Sequence, residues 1–264
     1  MGFLKRSGFL FLLLLFTAFT AYGMRITPPH EYGRVILNNY SRGAGIAPAV
    51  FDHWLHRAMF TCRLCHVDIG FAMEGSATKI RAATNRDGFH CGACHNGKTA
   101  YKGKSIFASC LDNLAREDSN ACGRCHSVGD QDKKKKEFNE FIENFPRKGH
   151  GNTVDWEGAE TKGLIKPLDF IEDVSIKRSP LKMEKEISIE SRGTWMSDVM
   201  FSHKKHAIWN GCEVCHPEIF PSTKQGTVKY SMFQIANGEY CGVCHDKVAF
   251  PIIDCQRCHV QPVR

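Results

Sequence analysis

Past its N-terminal segment, the 264-residue chain has no apolar run long enough to cross a membrane. It has no nucleophile–base constellation, and its glycines, such as Gly43 and Gly45, are too scattered for a phosphate loop. Hydrolytic and nucleotide-binding readings therefore have no residues to stand on. Few stretches reach the length that an independent helix needs, so only short helices are expected, at 78–83 and 230–236. No cysteine stands at the expected processing point, which argues against a lipid-anchored product.

The N-terminus is the exception. Lys5 and Arg6 precede an apolar core from Phe9 to Phe19, broken only by Thr17, and Ala21-Tyr22-Gly23 offers small residues for cleavage. Residues 1–23 are expected to be a signal peptide, with the mature protein in the periplasm. The run from Gly8 to Tyr22 has 15 residues, short of the ~20 that span a bilayer. An uncleaved anchor or a cell-surface location is the alternative.

What the chain has in quantity is cysteine. Of its thirteen, twelve fall in six Cys-x-x-Cys-His motifs. These are Cys62/Cys65/His66, Cys91/Cys94/His95, Cys122/Cys125/His126, Cys212/Cys215/His216, Cys241/Cys244/His245 and Cys255/Cys258/His259; only Cys110 is left over. Cys-x-x-Cys pairs also build zinc ribbons and redox dithiols, but neither needs a His after the second Cys every time. Covalent c-type haem does: two thiols add to the two vinyl groups, and the next His falls under the iron. Six covalently bound haem c groups are expected. Their propionates turn the formal charge of +7 into about −1 oxidised and about −7 reduced, so the basic sequence is no nucleic-acid signal. The run Lys133 to Lys136 reads as a solvated loop.

The motifs repeat as a unit. Phe51-Asp52-His53-Trp54-Leu55-His56 precedes Cys62, and Phe201-Ser202-His203-Lys204-Lys205-His206 precedes Cys212, at a constant offset of 150 that still holds for Cys91 and Cys241. Cys122 follows Cys91 by 31 residues, whereas Cys255 follows Cys241 by 14, so the first copy carries an insertion around Cys110. Residues 35–37 with 49–51, and 187–189 with 199–201, read as two-stranded ribbons leading into each His pair. The i, i+3 spacing of each pair suits the start of a helix. The expected architecture is mostly irregular, with small helices and short ribbons. The expected units are 24–126 and 186–264, joined by a partly ordered spacer, 127–185, with a short helix at 137–144 stopped by Pro146. With about 40 residues per haem, the cofactor faces are expected to serve as the core.

Each haem also needs a group for its distal face. Of the His outside the motifs, the pairs His53/His56 and His203/His206 are the best candidates. The order F-x-H-x-x-H, CxxCH, G-x-x-C-G-x-C-H, CxxCH resembles the triheme members of the class III multihaem cytochromes c (cytochrome c-seven-like domains), here in tandem over about two thirds of the chain. That resemblance implies that His53 closes the haem on Cys62/Cys65 and His56 the haem on Cys91/Cys94. It likewise implies His203 for Cys212/Cys215 and His206 for Cys241/Cys244. Single-domain relatives place a His where this chain has Asn237; tandem-domain relatives use a Met nine residues before the second motif, which here is Met232, for Cys255/Cys258. The matching position in the first copy is Ala82, which cannot ligate, and Met73 or His90 are the nearby substitutes for Cys122/Cys125.

The resemblance implies an electron carrier, not an enzyme, with redox proteins as partners: a quinol-oxidising membrane complex and other cytochromes. No nucleic acid and no small-molecule substrate are expected. The alternatives are a multihaem reductase with one open haem at Cys122/Cys125, or a subunit of a conductive filament or respiratory complex.

Overall fold

The computed structural model describes residues 27–111, 120–179, 185–191, 195–221 and 224–260. The expected signal peptide lies outside them. Among the described residues, no helix is long and apolar enough to cross a membrane.

In chain order, β1 (Arg34–Leu37) pairs antiparallel with β2 (Ala49–Asp52), with Val35 opposite Phe51. β2 runs directly into α1 (His53–Arg57). Then come α2 (Ala82–Arg86) and a small hairpin, β3 (Ala100–Tyr101) with β4 (Lys104–Ser105), which lies in the longer stretch between the second and third motifs of the first copy. The central segment carries α3 (Gln131–Phe141) and α4 (Trp156–Thr161). The opening pattern then recurs: β5 (Glu186–Ile189) pairs with β6 (Val199–Ser202), Ile187 opposite Phe201, and β6 runs into α5 (His203–Asn210). α6 (Met232–Ala236) completes the set.

Both ribbons form where the sequence places them. The short helices begin later than expected, because their caps fix the start. Ser231 accepts a hydrogen bond from the Gln234 amide, and the Thr84 hydroxyl closes the first turn of α2 on Arg81. Asp52 stands at the cap position of α1 but its carboxylate is taken by Arg34, 2.7 Å away and equally buried. The central helix differs more. The Lys133–Lys136 run is not a loop; it is the first half of α3, which ends at Phe141, well before Pro146. Pairs Lys134–Glu137 (3.5 Å) and Lys136–Glu140 (3.8 Å) support it, and Phe138 and Ile142, four apart, give it a buried face.

A side-chain core is also present, contrary to the expectation that cofactor faces alone would provide one. Trp54 of α1 and Ala58 just after it pack with Phe138, Ile142, Val154, Trp156, Ala159 and Ile165, and Trp209 of α5 packs on the same cluster. The central segment therefore touches the His-bearing helix of both copies. A second cluster joins Phe60 and Leu64 to Ile171, where Leu168 pairs as a parallel bridge with Phe60. Arg63 holds Asp169, and Arg178 reaches Asp68 at 2.6 Å and Glu213 at 3.6 Å. With few residues per motif, the largest group of buried apolar side chains is the cluster that joins α1 and α5 through the central segment.

Candidate haem-binding site

The motifs are positioned by short turns. A 3-10 turn forms at 90–93 and again at 240–243, each packed directly on the helix before it, α2 or α6. The glycine inside the second motif of each copy is required by that approach. A Cβ on Gly92 would stand 1.7 Å from the Asn85 carbonyl oxygen, and one on Gly242 would stand 1.9 Å from that of Ile235. Gly88 and Gly238, at φ +86° and +87°, reverse the chain just before. Both glycines of G-x-x-C-G-x-C-H thus have a steric reason. Gly92→Ala should cost at least ~2 kcal/mol, since backbone rather than a flexible side chain must move. Thermal unfolding followed by far-UV dichroism reads this; an unchanged midpoint would mean that α2 is free to shift away.

The third motif docks identically in both copies despite the insertion. His126 Nδ1 donates to Ala47 O (2.5 Å) and His259 Nδ1 to Ser197 O (2.6 Å), and the two acceptors are again 150 residues apart. The Val50 amide donates to Cys125 O and the Met200 amide to Cys258 O. The insertion changes the path to the third motif and leaves its seat beside the ribbon unchanged.

The imidazoles follow one rule. His66 Nδ1 donates to Phe71 O (2.9 Å), His216 to Phe220 O (2.7 Å) and His245 to Phe250 O (3.0 Å). His53 donates to Gly33 O (2.6 Å), His56 to Asp52 O (3.3 Å) and His206 to Ser202 O (2.8 Å). A carbonyl only accepts, so each Nδ1 carries the proton and each Nε2 keeps its lone pair for a metal. Burial pulls His53 and His56 down to about 4, and lowers His66, His206 and His245, so the rings are neutral, the form that ligates. The Nδ1 atoms of His95 and His203 are buried without a protein hydrogen bond.

The rings are also paired in space. His53 and His66 stand 6.4 Å apart between centroids with planes 2° from parallel. His56 and His95 are 6.4 Å apart, and His206 and His245 are 6.3 Å apart. Two imidazoles on opposite faces of one metal, each bonded at ~2.0 Å, place their centroids ~6.3 Å apart. His203 lies close enough to His216 for their charges to interact. The phenylalanine of F-x-H-x-x-H is the spacer of each pair. Phe51 lies 4.8 Å from His53 and 4.3 Å from His56, and Phe201 lies 4.9 and 4.4 Å from His203 and His206.

His53, His56, His66, His95, His206 and His245 line a cavity of about 2140 Å³ that runs through both copies, far larger than the ~300–1,000 Å³ of an ordinary ligand site. Burial pushes the thiols of Cys65, Cys91 and Cys244 up to about 12 and that of Cys241 to about 11. No cluster of three or more His, Cys, Asp or Glu that could hold a bare metal ion occurs among the described residues. Paired neutral imidazoles and protonated thiols on apolar walls fit a large flat iron cofactor.

Other candidates are less tightly placed. Met73 lines the cavity. His90 also lines it, at φ +50°, with its ring 5.6 Å from Phe71 and its Nδ1 buried without a partner. Met232 begins α6 and is 52% exposed. Cys110 accepts a hydrogen bond from buried Asn85, at 3.5 Å, where the second copy has Ile235. Sequence reasoning missed Arg57, which lies over Trp156 at 4.6 Å; a single arginine carries no pattern to find it by.

A family model described as "Cytochrome c7 and related cytochrome c" matches residues 49–136 and 199–260. Comparison with curated proteins finds no match. Among solved structures, the C-terminal hexaheme fragment of GSU1996 is similar at 24% identity, covering 89% of this chain and 99% of that one, with a TM-score of 0.26. The N-terminal hexaheme fragment is similar at 22%, covering 86% and 98%, with a TM-score of 0.25. The dodecaheme cytochrome c GSU1996 is similar at 21%, covering 86% and 74%, also with a TM-score of 0.25.

Proposed function

Because the chain belongs to the family of cytochrome c7 and related cytochromes c, multihaem electron-transfer proteins, we propose that it is an exported hexahaem electron carrier. The observation that carries this reading is the pair of parallel rings His53 and His66, with centroids 6.4 Å apart, and the like spacing at His56/His95 and His206/His245. Bound haem iron supplies reversible one-electron chemistry. The protein's part is to hold, orient and shield. The twelve motif cysteines would tether six groups, and His66, His95, His126, His216, His245 and His259 would each supply an iron ligand. His53, His56, His203 and His206 would supply the second ligand at the first two sites of each copy. At all of these rings but His95 and His203, a backbone carbonyl takes the Nδ1 proton and fixes the ring.

In the third sites, Met232 closes the site on Cys255/Cys258, and Met73 or His90 that on Cys122/Cys125. A thioether opposite His raises the potential above that of a bis-His site. The donor in this reading is a quinol-oxidising membrane complex and the acceptors are other cytochromes, met in the periplasm.

Mass measurement of the secreted protein is the test. It should show six covalent haems and no residues 1–23; fewer haems would defeat the motif assignment. In the same preparation, Met232→Ala should convert one low-spin haem to high spin, seen by paramagnetic resonance. An unaltered spectrum would remove Met232 from the ligand set.

A further inference from the structure

Arg57 ends α1, directly after His56, and it sits where the two copies meet. Its Nη1 donates to Val248 O at 2.9 Å, and its guanidinium lies 4.6 Å from the Trp156 ring and 5.4 Å from that of Trp209. Val248 belongs to the turn that closes the fifth motif, since its amide donates to Cys244 O at 2.9 Å. On the other side, Arg57, Cys62 and Trp209 share the wall of one small cavity. No carboxylate among the described residues forms an ion pair with it; Glu160 accepts instead from Trp209 Nε1 at 2.7 Å.

The contact around Arg57 is continuous. Tyr32 Oη donates to Ala249 O at 2.5 Å, and a Cβ on Gly33 would meet Val248 Cα at 3.8 Å. Gly33 is the residue whose carbonyl orients His53, and Phe250, at the end of the same turn, orients His245. Residues 246–250 thus lie between a histidine of the first copy and a histidine of the second.

We propose that Arg57 is a charge shared by two haem sites in different copies, those on Cys62/Cys65 and Cys241/Cys244, and that it biases both toward reduction together. The inference rests on the haem-binding reading above. A fixed cation with no carboxylate of its own stabilises an added electron on either side of it. Each reduction takes one electron from the reductant. No bond forms or breaks, and the guanidinium keeps its proton throughout. The two copies are then matched electrostatically at the point where they touch.

The test uses the full-length haem-loaded protein, reduced stepwise with dithionite and followed by site-resolved nuclear magnetic resonance of the haem methyls. Arg57→Gln should lower the reduction equilibrium constant about tenfold at these two sites, or ~59 mV, and leave the other four within about twofold. Arg57→Lys should restore most of the loss. A shift confined to one copy, an equal shift at all six sites, or no shift would overturn the proposal. If Arg57→Gln does not load haem, Glu160→Gln carries the test with opposite sign. It keeps an acceptor for Trp209 and should raise both constants together; raising neither or only one overturns the idea. Fewer than six haems by mass in the unaltered protein would overturn the parent reading as well, whereas six haems without a paired shift overturns only the role of Arg57.

Discussion

His53→Ala should turn one of six low-spin haems high-spin, with carbon monoxide binding at that site and at no other. The ring that it removes stands parallel to His66 at 6.4 Å, and its Nδ1 proton is already held by Gly33. An alanine leaves an open coordination position where a neutral nitrogen was aimed. Absorbance and paramagnetic resonance of the oxidised protein read the spin change directly. A variant that keeps all haems low-spin would mean that another residue closes this face. His56→Ala and His206→Ala are the matching changes for the second site of each copy.

The second large effect concerns the shared core. Phe138→Ala should destabilise the protein by ~3–5 kcal/mol, the cost of emptying a buried aromatic site. Phe138 is 1% exposed and meets Trp54 edge-to-face at 5.2 Å. Its cluster includes Trp54 from α1 and Trp209 from α5, so both copies should loosen in one transition. Guanidinium unfolding, followed at haem bands of each copy, tests this. Two separate transitions, with only one moved by the mutation, would show that the copies fold independently. The same packing predicts that a single cut near Lys133–Lys136 leaves the halves associated during size-exclusion chromatography. Residues 138–178, beyond the cut, still hold Trp54, Phe60, Asp68 and Trp209.

Much of this was legible in the sequence. The six motifs, the offset of 150 and the two ribbons are written as spacing, and spacing survives folding. The histidine pairs were legible for the same reason, and the structure brings three of their four implied partners to 6.3–6.4 Å. The core was legible only in part. Phe138, Phe141, Ile142 and Phe145 follow a helical i, i+3, i+4, i+7 spacing, but the residues they meet, Trp54, Val154, Trp156, Ala159, Ile165 and Trp209, come one or two at a time from separate elements and carry no periodic signal of their own. α3 was half hidden because its first turns are Gln-Asp-Lys-Lys-Lys-Lys, with no apolar mark. Its helicity comes from Lys–Glu pairs and from the burial of Phe138 and Ile142 further on. Gly92 and Gly242 could be read as motif letters, but the carbonyl that excludes a side chain there comes from a helix residue seven positions back. Arg57 becomes visible only when Val248 is folded against it.

The angle between paired rings has a further consequence. At His53/His66 the planes differ by 2°, whereas they cross at 61° in His56/His95 and 54° in His206/His245. Aligned imidazoles push on one iron d orbital and split it from its neighbour; crossed ones leave the two nearly degenerate. The first site should therefore show a rhombic magnetic signature, and the other two a broad, strongly anisotropic line. That difference should separate the signal of the site on Cys62/Cys65 from those on Cys91/Cys94 and Cys241/Cys244 without any engineered probe.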